Sequence, residues 1–178
     1  MLYRAFVEDD DENLKHKVLY YHNPSRWNDN TLPDGDPIRD EKSWSIEIKY
    51  LNHDNSGISE DIKSLPTDTG GVYIFFLKGI NLPFLENHIL YIGRCRYTEA
   101  QNIRKRAMEY FSDTKRAMIK RMFRLWSPYL FYRYFPNSNN DWIDKTEAIL
   151  IRSILPPLNE KIPDKVTIQA TLPAFDNN

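Results

Sequence analysis

The sequence has few of the residues that several common classes of protein need. Its 178 residues include one cysteine, Cys95, which excludes an internal disulfide framework and a zinc site made of several cysteines. No apolar run approaches the ~20 residues that cross a bilayer. The segment after Met1 runs into the acidic stretch 8–12 and lacks the basic flank and apolar core of a secretion signal. We therefore expect a cytoplasmic protein with no membrane partner.

Histidine is scarce as well, and its distribution matches no common metal site. The four histidines show no ligand spacing such as HxxxH. A glycine-rich phosphate loop and a nucleophile elbow are also missing from the sequence. Nothing therefore points to a histidine metal centre, a nucleotide-phosphate loop or a serine hydrolase.

The charge is balanced overall but unevenly distributed along the chain. The net charge is -1, yet residues 1–70 contain 15 acidic and 8 basic side chains, and residues 94–133 contain 11 basic and 3 acidic ones. A basic stretch inside a neutral protein is typical of a protein that binds a phosphate backbone, and a solvated helix face is the alternative. The candidate DNA contacts within this stretch are Arg104, Lys105, Lys115, Arg116 and Lys120.

The apolar patterns predict strands first and helices afterwards. Apolar and polar residues alternate from Trp44 to Tyr50, which is typical of a half-buried strand. Further strands are predicted at 72–77, 88–92 and 130–135, with one more at 166–168. We therefore expect an α/β (α+β) fold with a small antiparallel sheet of about three strands flanked by helices. An N-terminal extension can add a strand to that sheet.

Three helices are predicted from start and stop signals in the second half of the chain. A capping box at Thr98 and Gln101 starts the first helix, which runs to about residue 111. The second runs from Asp113 or Thr114 to about residue 126, and the third starts at 140 or 141 and stops at the proline pair 156–157.

Glu147 has an unusual place on the third predicted helix. At 100° per residue it lies in the middle of the apolar face formed by Ile143, Leu150 and Ile154, whereas Asp144 falls on the charged side. A carboxylate in an apolar stripe costs free energy unless a cation or hydrogen-bond donors meet it. An ion pair is the commoner explanation of such a residue, and a metal ligand or general base is the functional one.

An arginine and three tyrosines are further candidates. Arg106 and Tyr110 are four residues apart on the first predicted helix, so their side chains can point into the same space. Tyr73 lies on one predicted strand, and Tyr91 precedes Gly93 on the next, where a backbone or a phosphate could come close. A snorkelling arginine and core tyrosines explain the same residues without any function.

Taken in order, these residues resemble the GIY-YIG nuclease domain. Two tripeptides, an arginine helix and a late glutamate, proline and asparagine carry the resemblance: Gly71-Val72-Tyr73, Tyr91-Ile92-Gly93, Asn102 to Arg106 with Tyr110-Phe111, and Glu147 with Pro156 and Asn159. The variant looks closest to the N-terminal incision domain of bacterial excision-repair nucleases. The chain departs from the family in a longer loop between the tripeptides, in about five extra residues around 97–101 and in Tyr110, where some members have histidine.

The resemblance implies three regions and a single-metal active site. The regions are an acidic extension over 1–64, the nuclease domain over 65–161 and a tail over 162–178. The implied activity is hydrolysis of phosphodiester bonds in DNA with one Mg²⁺ (or Mn²⁺) held by Glu147, an ion that completes its shell with water and phosphate oxygens. Arg106 would neutralise charge on the scissile phosphate.

Further site roles follow from the same resemblance. Tyr73 or Tyr91 would take the proton of the attacking water or hold that water by hydrogen bonds, and Tyr110 completes the catalytic set. Arg94 stands where relatives often have a lysine and is expected to contact phosphate. Gly93 and Asn159 are expected to support the site, with Asn159 tying the end of the third helix to the core.

The alternatives differ in class. One is a GIY-YIG-like module that binds nucleic acid without cutting it, and another is an unrelated α/β interaction domain. For an endonuclease, double-stranded DNA is the expected partner, and a role in restriction or defence, in a mobile element or in repair fits a lone catalytic domain with an extension. With one active site per chain, a double-strand cutter would need to form a homodimer or act twice.

Overall fold

A four-stranded sheet forms the centre of the fold. The computed structural model describes residues 35–79, 88–113, 115–159, 161 and 163. The strands are β1 (Ile48–Lys49), β2 (Gly70–Leu77), β3 (His88–Cys95) and β4 (Leu130–Asn137), and they pair antiparallel in the order β1-β4-β2-β3. The sequence predictions for the loop 80–87, for Thr114 as a cap and for a strand at 166–168 lie outside the described residues.

In the described part of the chain, four α-helices and three single 3₁₀ turns surround the sheet. The α-helices are α1 (Glu60–Lys63), α2 (Ile103–Glu109), α3 (Ala117–Trp126) and α4 (Asn140–Ile154), and the turns are Pro37–Arg39, Glu41–Ser43 and Ser127–Tyr129. This architecture confirms the predicted α+β class with a small antiparallel sheet. Among the described helices, none has the length and apolar character needed to cross a membrane.

The extra strand from the N-terminal region is present, but it is shorter than the alternation of apolar and polar residues predicts. Only Ile48 and Lys49 pair with β4, whereas the pattern predicted a strand from Trp44 to Tyr50. Ile46 is 81% exposed, and the indole of Trp44 donates to the carbonyl of Ile38 at 2.9 Å. The chain before Ile48 stays beside β4, since the Ser45 amide donates to the Tyr134 carbonyl at 2.8 Å, but the regular pairing starts only at Ile48. Alternation identifies residues that can face a core, but it does not show where backbone pairing is interrupted.

Two helix starts also differ from the predictions. Thr98 and Gln101 pair their backbone groups with each other at 2.9 and 3.2 Å, and α2 begins later, where the Asn102 side chain accepts the Lys105 amide at 2.9 Å. Asp113 accepts the backbone amides that follow it, but α3 begins only at Ala117. A polar side chain can serve a tight turn or a helix start, and sequence spacing does not separate the two.

The two faces of the sheet support different cores. The larger core lies with α1, α2 and α3 and is rich in aromatic rings, among them the fully buried Tyr73, Phe75 and Tyr132. Each such ring removed from water contributes roughly 1.5–3 kcal/mol. The smaller core lies between the sheet and α4, where Val72 and Ile92 meet residues of that helix. A functional group on α4 therefore approaches the sheet from the face opposite α2.

The docking of α4 corrects one part of the sequence interpretation. The buried residues of α4 are Ile143, Thr146, Ile149 and Ile151, whereas Ile154 is 39% exposed. The predicted apolar face of Ile143, Leu150 and Ile154 was therefore partly wrong. The 3.6-residue period predicts a stripe, but the part of it that contacts the sheet is decided by the angle at which the helix packs.

Two positions of the sheet have space for glycine but not for a residue with a side chain. Gly71 has φ +146°, and a Cβ there would lie 2.1 Å from the carbonyl oxygen of Phe135 on β4. Gly93 pairs with Tyr73 across β2 and β3, and a Cβ there would lie 2.5 Å from the Tyr73 hydroxyl oxygen. The space above Gly93, in which the sequence suggested a backbone or a phosphate, is thus filled by the Tyr73 ring.

We expect Gly93→Ala to destabilise the fold by roughly 1–3 kcal/mol, because the new methyl group would displace the Tyr73 ring from a filled core. Gly57→Ala is the matched control, since its Cβ would meet nothing closer than the Asn52 amide nitrogen at 3.5 Å. Urea unfolding of both variants measures the difference. Equal stabilities would mean that the Tyr73 ring does not occupy the space above Gly93.

Candidate active site

Three phenol groups meet on the larger-core face of the sheet. The hydroxyl oxygens of Tyr73 on β2 and Tyr110 after α2 are 2.5 Å apart, and the Tyr110 hydroxyl donates to that of Tyr91 on β3 at 3.4 Å. The rings of Tyr73 and Tyr110 pack edge to face against Phe75. The Tyr91 ring, opposite Phe75 in the strand register, packs edge to face against Tyr110. Tyr73 and Tyr110 are fully buried, whereas Tyr91 keeps part of its surface. Of the two candidate water-binding tyrosines, Tyr91 is thus the accessible one.

Arg106 adds a positive charge to the phenol cluster. Its Nε donates to the Tyr73 hydroxyl at 3.2 Å, and its Nη1 donates to Glu109 at 3.0 Å. The guanidinium carbon lies 5.2 Å from the centre of the Tyr110 ring, within the range of a cation–π contact. The four-residue spacing that singled out Arg106 and Tyr110 in the sequence does bring the two side chains together.

Arg116 approaches the same ring from the start of α3. Its guanidinium carbon lies 4.6 Å from the Tyr110 ring centre, and its Nε is paired with Asp113. The positive charge of Arg116 also lowers the pKa of Tyr91, against the larger effect of burial. Two guanidinium groups therefore lie beside the phenol cluster, on residues that come from two different helices.

Glu147 lies on the other face of the sheet and is paired with Arg94. The Arg94 Nη1 donates to Glu147 Oε2 at 2.7 Å, and the glutamate side chain is 16% exposed. Burial raises the pKa of Glu147, while the neighbouring Arg94 lowers it and Asp144 raises it. The ion pair that the sequence suggested as the ordinary explanation of Glu147 is present in the structure.

Electrostatic coupling joins Glu147 to the residues of the opposite face. Besides Arg94 and Asp144, the Arg106 guanidinium acts on Glu147 and lowers its pKa. Glu147 in turn raises the pKa of Tyr91, after the larger effects of burial and of Tyr110. The carboxylate, the arginine of α2 and the accessible phenol thus share one electrostatic environment, although two different faces of the sheet supply them.

Tyr73 and Tyr91 are held in their neutral form. Burial raises the pKa of Tyr73 well above its ordinary value, and Tyr110 raises it further, while Arg106 lowers it. Burial and Tyr110 also raise the pKa of Tyr91. A neutral phenol donates and accepts hydrogen bonds but does not take a proton from water. In this state the cluster can orient a water molecule, and proton removal would need an added positive charge.

Several predicted DNA contacts lie outside the cluster. Arg104, Lys105, Lys115 and Lys120 are exposed on α2, on α3 and between them. Within the described residues, Lys105 uses its ammonium group to donate to the carbonyl of Ala100 at 2.7 Å. These side chains can face a phosphate backbone, whereas Arg94, Arg106 and Arg116 are the basic residues in contact with Glu147 or with the phenols.

Asn159 stabilises the edge strand β3 at Ile92, between Tyr91 and Gly93. Its side-chain oxygen accepts the amide of Ile92 at 2.9 Å, and its side-chain nitrogen donates to the carbonyl of the same residue at 2.7 Å. The backbone of Leu158 bonds the carbonyl of Leu90 at 3.0 Å. The segment after α4 therefore pairs with β3 as a further strand would, and it fixes Tyr91 and Gly93 from outside.

Two acidic residues of the site have no role in the sequence interpretation. Glu109 accepts from Arg106 three residues before it, a spacing that is itself a sequence signal for a helical ion pair. Asp144, which the spacing of 100° per residue placed on the charged side of its helix, has a carboxylate oxygen 3.0 Å from the Nε of Arg94. It therefore shares this arginine with Glu147. Its position three residues before Glu147 is a weaker signal, because the partner arginine comes from β3.

The chemistry of the donor set fits a weakly held divalent ion. No group of three or more His, Cys, Asp or Glu side chains in the described part of the chain could hold a metal ion. Glu147 offers one carboxylate, and Oε1 accepts no hydrogen bond from any described residue, while Arg94 bonds Oε2. Mg²⁺ is commonly bound by one or two carboxylates with waters and substrate phosphates. Oε1 of Glu147 is therefore the oxygen that such an ion would contact.

Comparisons with known proteins neither support nor oppose the resemblance. No family model, no curated protein and no solved structure matches the chain. The GIY-YIG interpretation thus depends on the motif residues and on the contacts between them, and it stays a prediction.

We expect the native protein to release phenolic protons later than the unfolded chain as the pH rises. Because burial raises the pKa of Tyr50, Tyr73, Tyr91 and Tyr132, the folded state keeps protons that the unfolded state loses near pH 10. The unfolded state then binds fewer protons, so the free energy of unfolding should fall above pH 10. Absorbance of tyrosinate at alkaline pH, with and without urea, checks both points. Identical titration curves would contradict the buried phenol cluster.

Proposed function

We propose that this chain is a metal-dependent endonuclease of the GIY-YIG type that hydrolyses phosphodiester bonds in DNA. The observation that carries the proposal is the convergence of the motif residues: Arg106 and the phenols Tyr73, Tyr91 and Tyr110 are in contact, and Glu147 is electrostatically coupled to Arg106 and Tyr91.

Each residue of the cluster has a role that its contacts support. Arg106 has its Nε on Tyr73 and its Nη1 on Glu109, which leaves Nη2 to neutralise charge on a scissile phosphate. Tyr91, the accessible phenol, orients the attacking water by hydrogen bonds. Tyr110 donates to Tyr91 and packs under the guanidinium of Arg106, and it therefore holds the phenol and the guanidinium in place relative to each other.

Glu147 is the residue that would hold the metal ion, through the oxygen that Arg94 leaves without a hydrogen bond. A bound Mg²⁺ or Mn²⁺ supplies Lewis-acid polarisation of the phosphoryl oxygen and stabilises the leaving oxygen. The positive charge of Arg116 already lowers the pKa of Tyr91, and the charge of a metal ion near that phenol would act in the same direction. Arg94 is 40% exposed beside this carboxylate and is expected to contact a neighbouring phosphate.

The partner of this site is proposed from the basic surface. Exposed side chains of α2, of α3 and of the connection between them supply positive charge: Arg104, Lys105, Lys115 and Lys120. Double-stranded DNA in the cytoplasm is the partner that we propose, with restriction or defence, a mobile element or repair as the biological setting. A homodimer is one way in which a single-site chain could cut both strands.

A second candidate function is a module that binds nucleic acid without cutting it. The raised pKa values of Tyr73 and Tyr91 favour it, because neutral phenols accept no proton from water. The Arg94–Glu147 ion pair favours it as well, since it satisfies the carboxylate without a metal. Incubation of supercoiled plasmid, branched DNA, single-stranded DNA and RNA with and without Mg²⁺ separates the two functions. Binding without metal-dependent cleavage of any substrate would favour the module.

We expect Glu147→Ala to reduce cleavage to background while DNA binding and folding are largely kept, because the side chain that would hold the metal is removed. Glu60→Ala is the matched control, since it removes an equal charge from a carboxylate that is 84% exposed on α1. Plasmid nicking at several Mg²⁺ concentrations and a thermal unfolding curve measure both effects. Near-normal metal-dependent nicking by the Glu147 variant would refute the assignment.

We expect Arg106→Ala to lower kcat by about 100- to 1000-fold, because a cation that faces the scissile phosphate acts mainly in the transition state. Lys63→Ala removes the same charge from the exposed side of α1 and serves as the control. Single-turnover cleavage rates at saturating enzyme give the comparison. An unchanged rate would show that Arg106 has only a structural role beside Tyr73.

A further inference from the structure

Asp144 is a carboxylate without a role in the proposed function. It lies one helical turn before Glu147 on α4, and its side chain is 23% exposed. Arg96 donates to it from Nε at 2.9 Å and from a second nitrogen, and the Nε of Arg94 lies 3.0 Å from the same carboxylate. Arg94 lies in β3 and Arg96 directly follows its last residue, so Asp144 joins α4 to the end of the edge strand at the two positions on either side of Cys95.

The guanidinium of Arg94 is divided between two carboxylates. Its Nε faces Asp144 and its Nη1 donates to Glu147 at 2.7 Å. The remaining nitrogen, Nη2, has no partner among the described residues, and the side chain is 40% exposed. The hydrogen bond from Nη1 and the ion pair at Nε both restrict the guanidinium, so its free edge can bind a phosphate oxygen with less loss of entropy than an unrestrained side chain.

We propose that Asp144 is a positioning residue that keeps Arg94 in place for a substrate phosphate. If the Arg94–Glu147 bond opens when Glu147 takes a metal ion, the Asp144 contact still holds the guanidinium beside the site. The proposal depends on the proposed function for the identity of the anion as a phosphate of DNA. In the absence of Asp144, Glu147 is the single carboxylate left to Arg94 within the described residues, and the arginine then competes with a metal for it.

The contrasting role is a surface ion pair that matters only to Arg96. The Arg96 side chain is 58% exposed, and pairs of that kind contribute little to stability. If Asp144 served Arg96 alone, the loss of Asp144 would change DNA affinity by the same factor whether or not Arg94 is present. If Asp144 acts through Arg94, the loss of Asp144 should leave DNA affinity unchanged once Arg94 has been removed. A double-mutant cycle therefore distinguishes the two roles.

The cycle is measured on DNA affinity without Mg²⁺, so that cleavage plays no part. Fluorescence anisotropy of a labelled short duplex gives Kd for the wild type, Asp144→Ala, Arg94→Ala and the double variant. We expect Asp144→Ala to weaken binding roughly fivefold to tenfold in the wild-type background and less than about twofold in the Arg94→Ala background. Asp144→Glu should recover part of the affinity. Equal losses in the two backgrounds would overturn the proposal.

A second readout follows Arg94 itself. Nitrogen-15 labelling of arginine side chains reports the exchange of the Arg94 Nε proton with water in the full chain without DNA. We expect Asp144→Ala to accelerate that exchange at least about fivefold, since an ion-paired Nε–H is protected. Asp141→Ala, which removes a carboxylate from the first turn of the same helix, should leave it unchanged. Unchanged exchange in Asp144→Ala would overturn the proposal.

The two experiments separate this proposal from the proposed function. A wild type that binds DNA but cuts nothing with Mg²⁺ would refute the nuclease function, whereas the cycle and the exchange rates would still support the role of Asp144. A wild type with no affinity for DNA would overturn both.

Discussion

The fully buried hydroxyl of Tyr73 is the constraint on which the rest of the site depends. A phenol without a hydrogen-bond partner in a core costs free energy, and this one is satisfied by Tyr110 and by Arg106. These two bonds fix the end of α2 against the centre of the sheet. They also require Gly93 on the neighbouring strand, because any side chain there would occupy the space of the ring.

The edge strand β3 joins the two faces of the sheet into one site. Tyr91 points towards the aromatic core with α2, while Arg94, an odd number of positions later, points towards α4 and meets Glu147. One strand thereby supplies a phenol to one face and a cation to the other. The strand has a free edge next to these residues, and Asn159 covers it by bonding both backbone groups of Ile92.

The same burial that orders the phenols also limits their chemistry. Burial is the largest cause that raises the pKa of both Tyr73 and Tyr91, and the mutual proximity of the phenols adds to it. Arg106 and Arg116 act in the opposite direction. The cluster is therefore organised for hydrogen bonding at neutral pH, and an added cation is the factor that would change it. In the proposed activity, a metal ion at Glu147 would supply that cation.

Much of the fold follows from local patterns in the sequence. The strands from Gly70, His88 and Leu130 are apolar enough to predict, and α4 begins at Asn140 because Asn139 caps it. The start of α2 and the length of β1 did not follow, since polar side chains near them can serve either a turn or a regular element. The spacing of Arg106 and Tyr110 predicted their contact because it depends on a single helix.

The sequence by itself determined the residue types, their order along the chain and the spacings within each helix and strand. Only the tertiary structure decided that Glu147 is paired with Arg94, that Asp144 lies beside both, and that Tyr91 rather than Tyr73 is accessible. The physical reason is that these relations join residues on different elements, and the contacts of Arg94 with Asp144 and Glu147 span 50 and 53 positions. They depend on how α4 and the edge strand pack against each other, and no local period in the sequence encodes that packing.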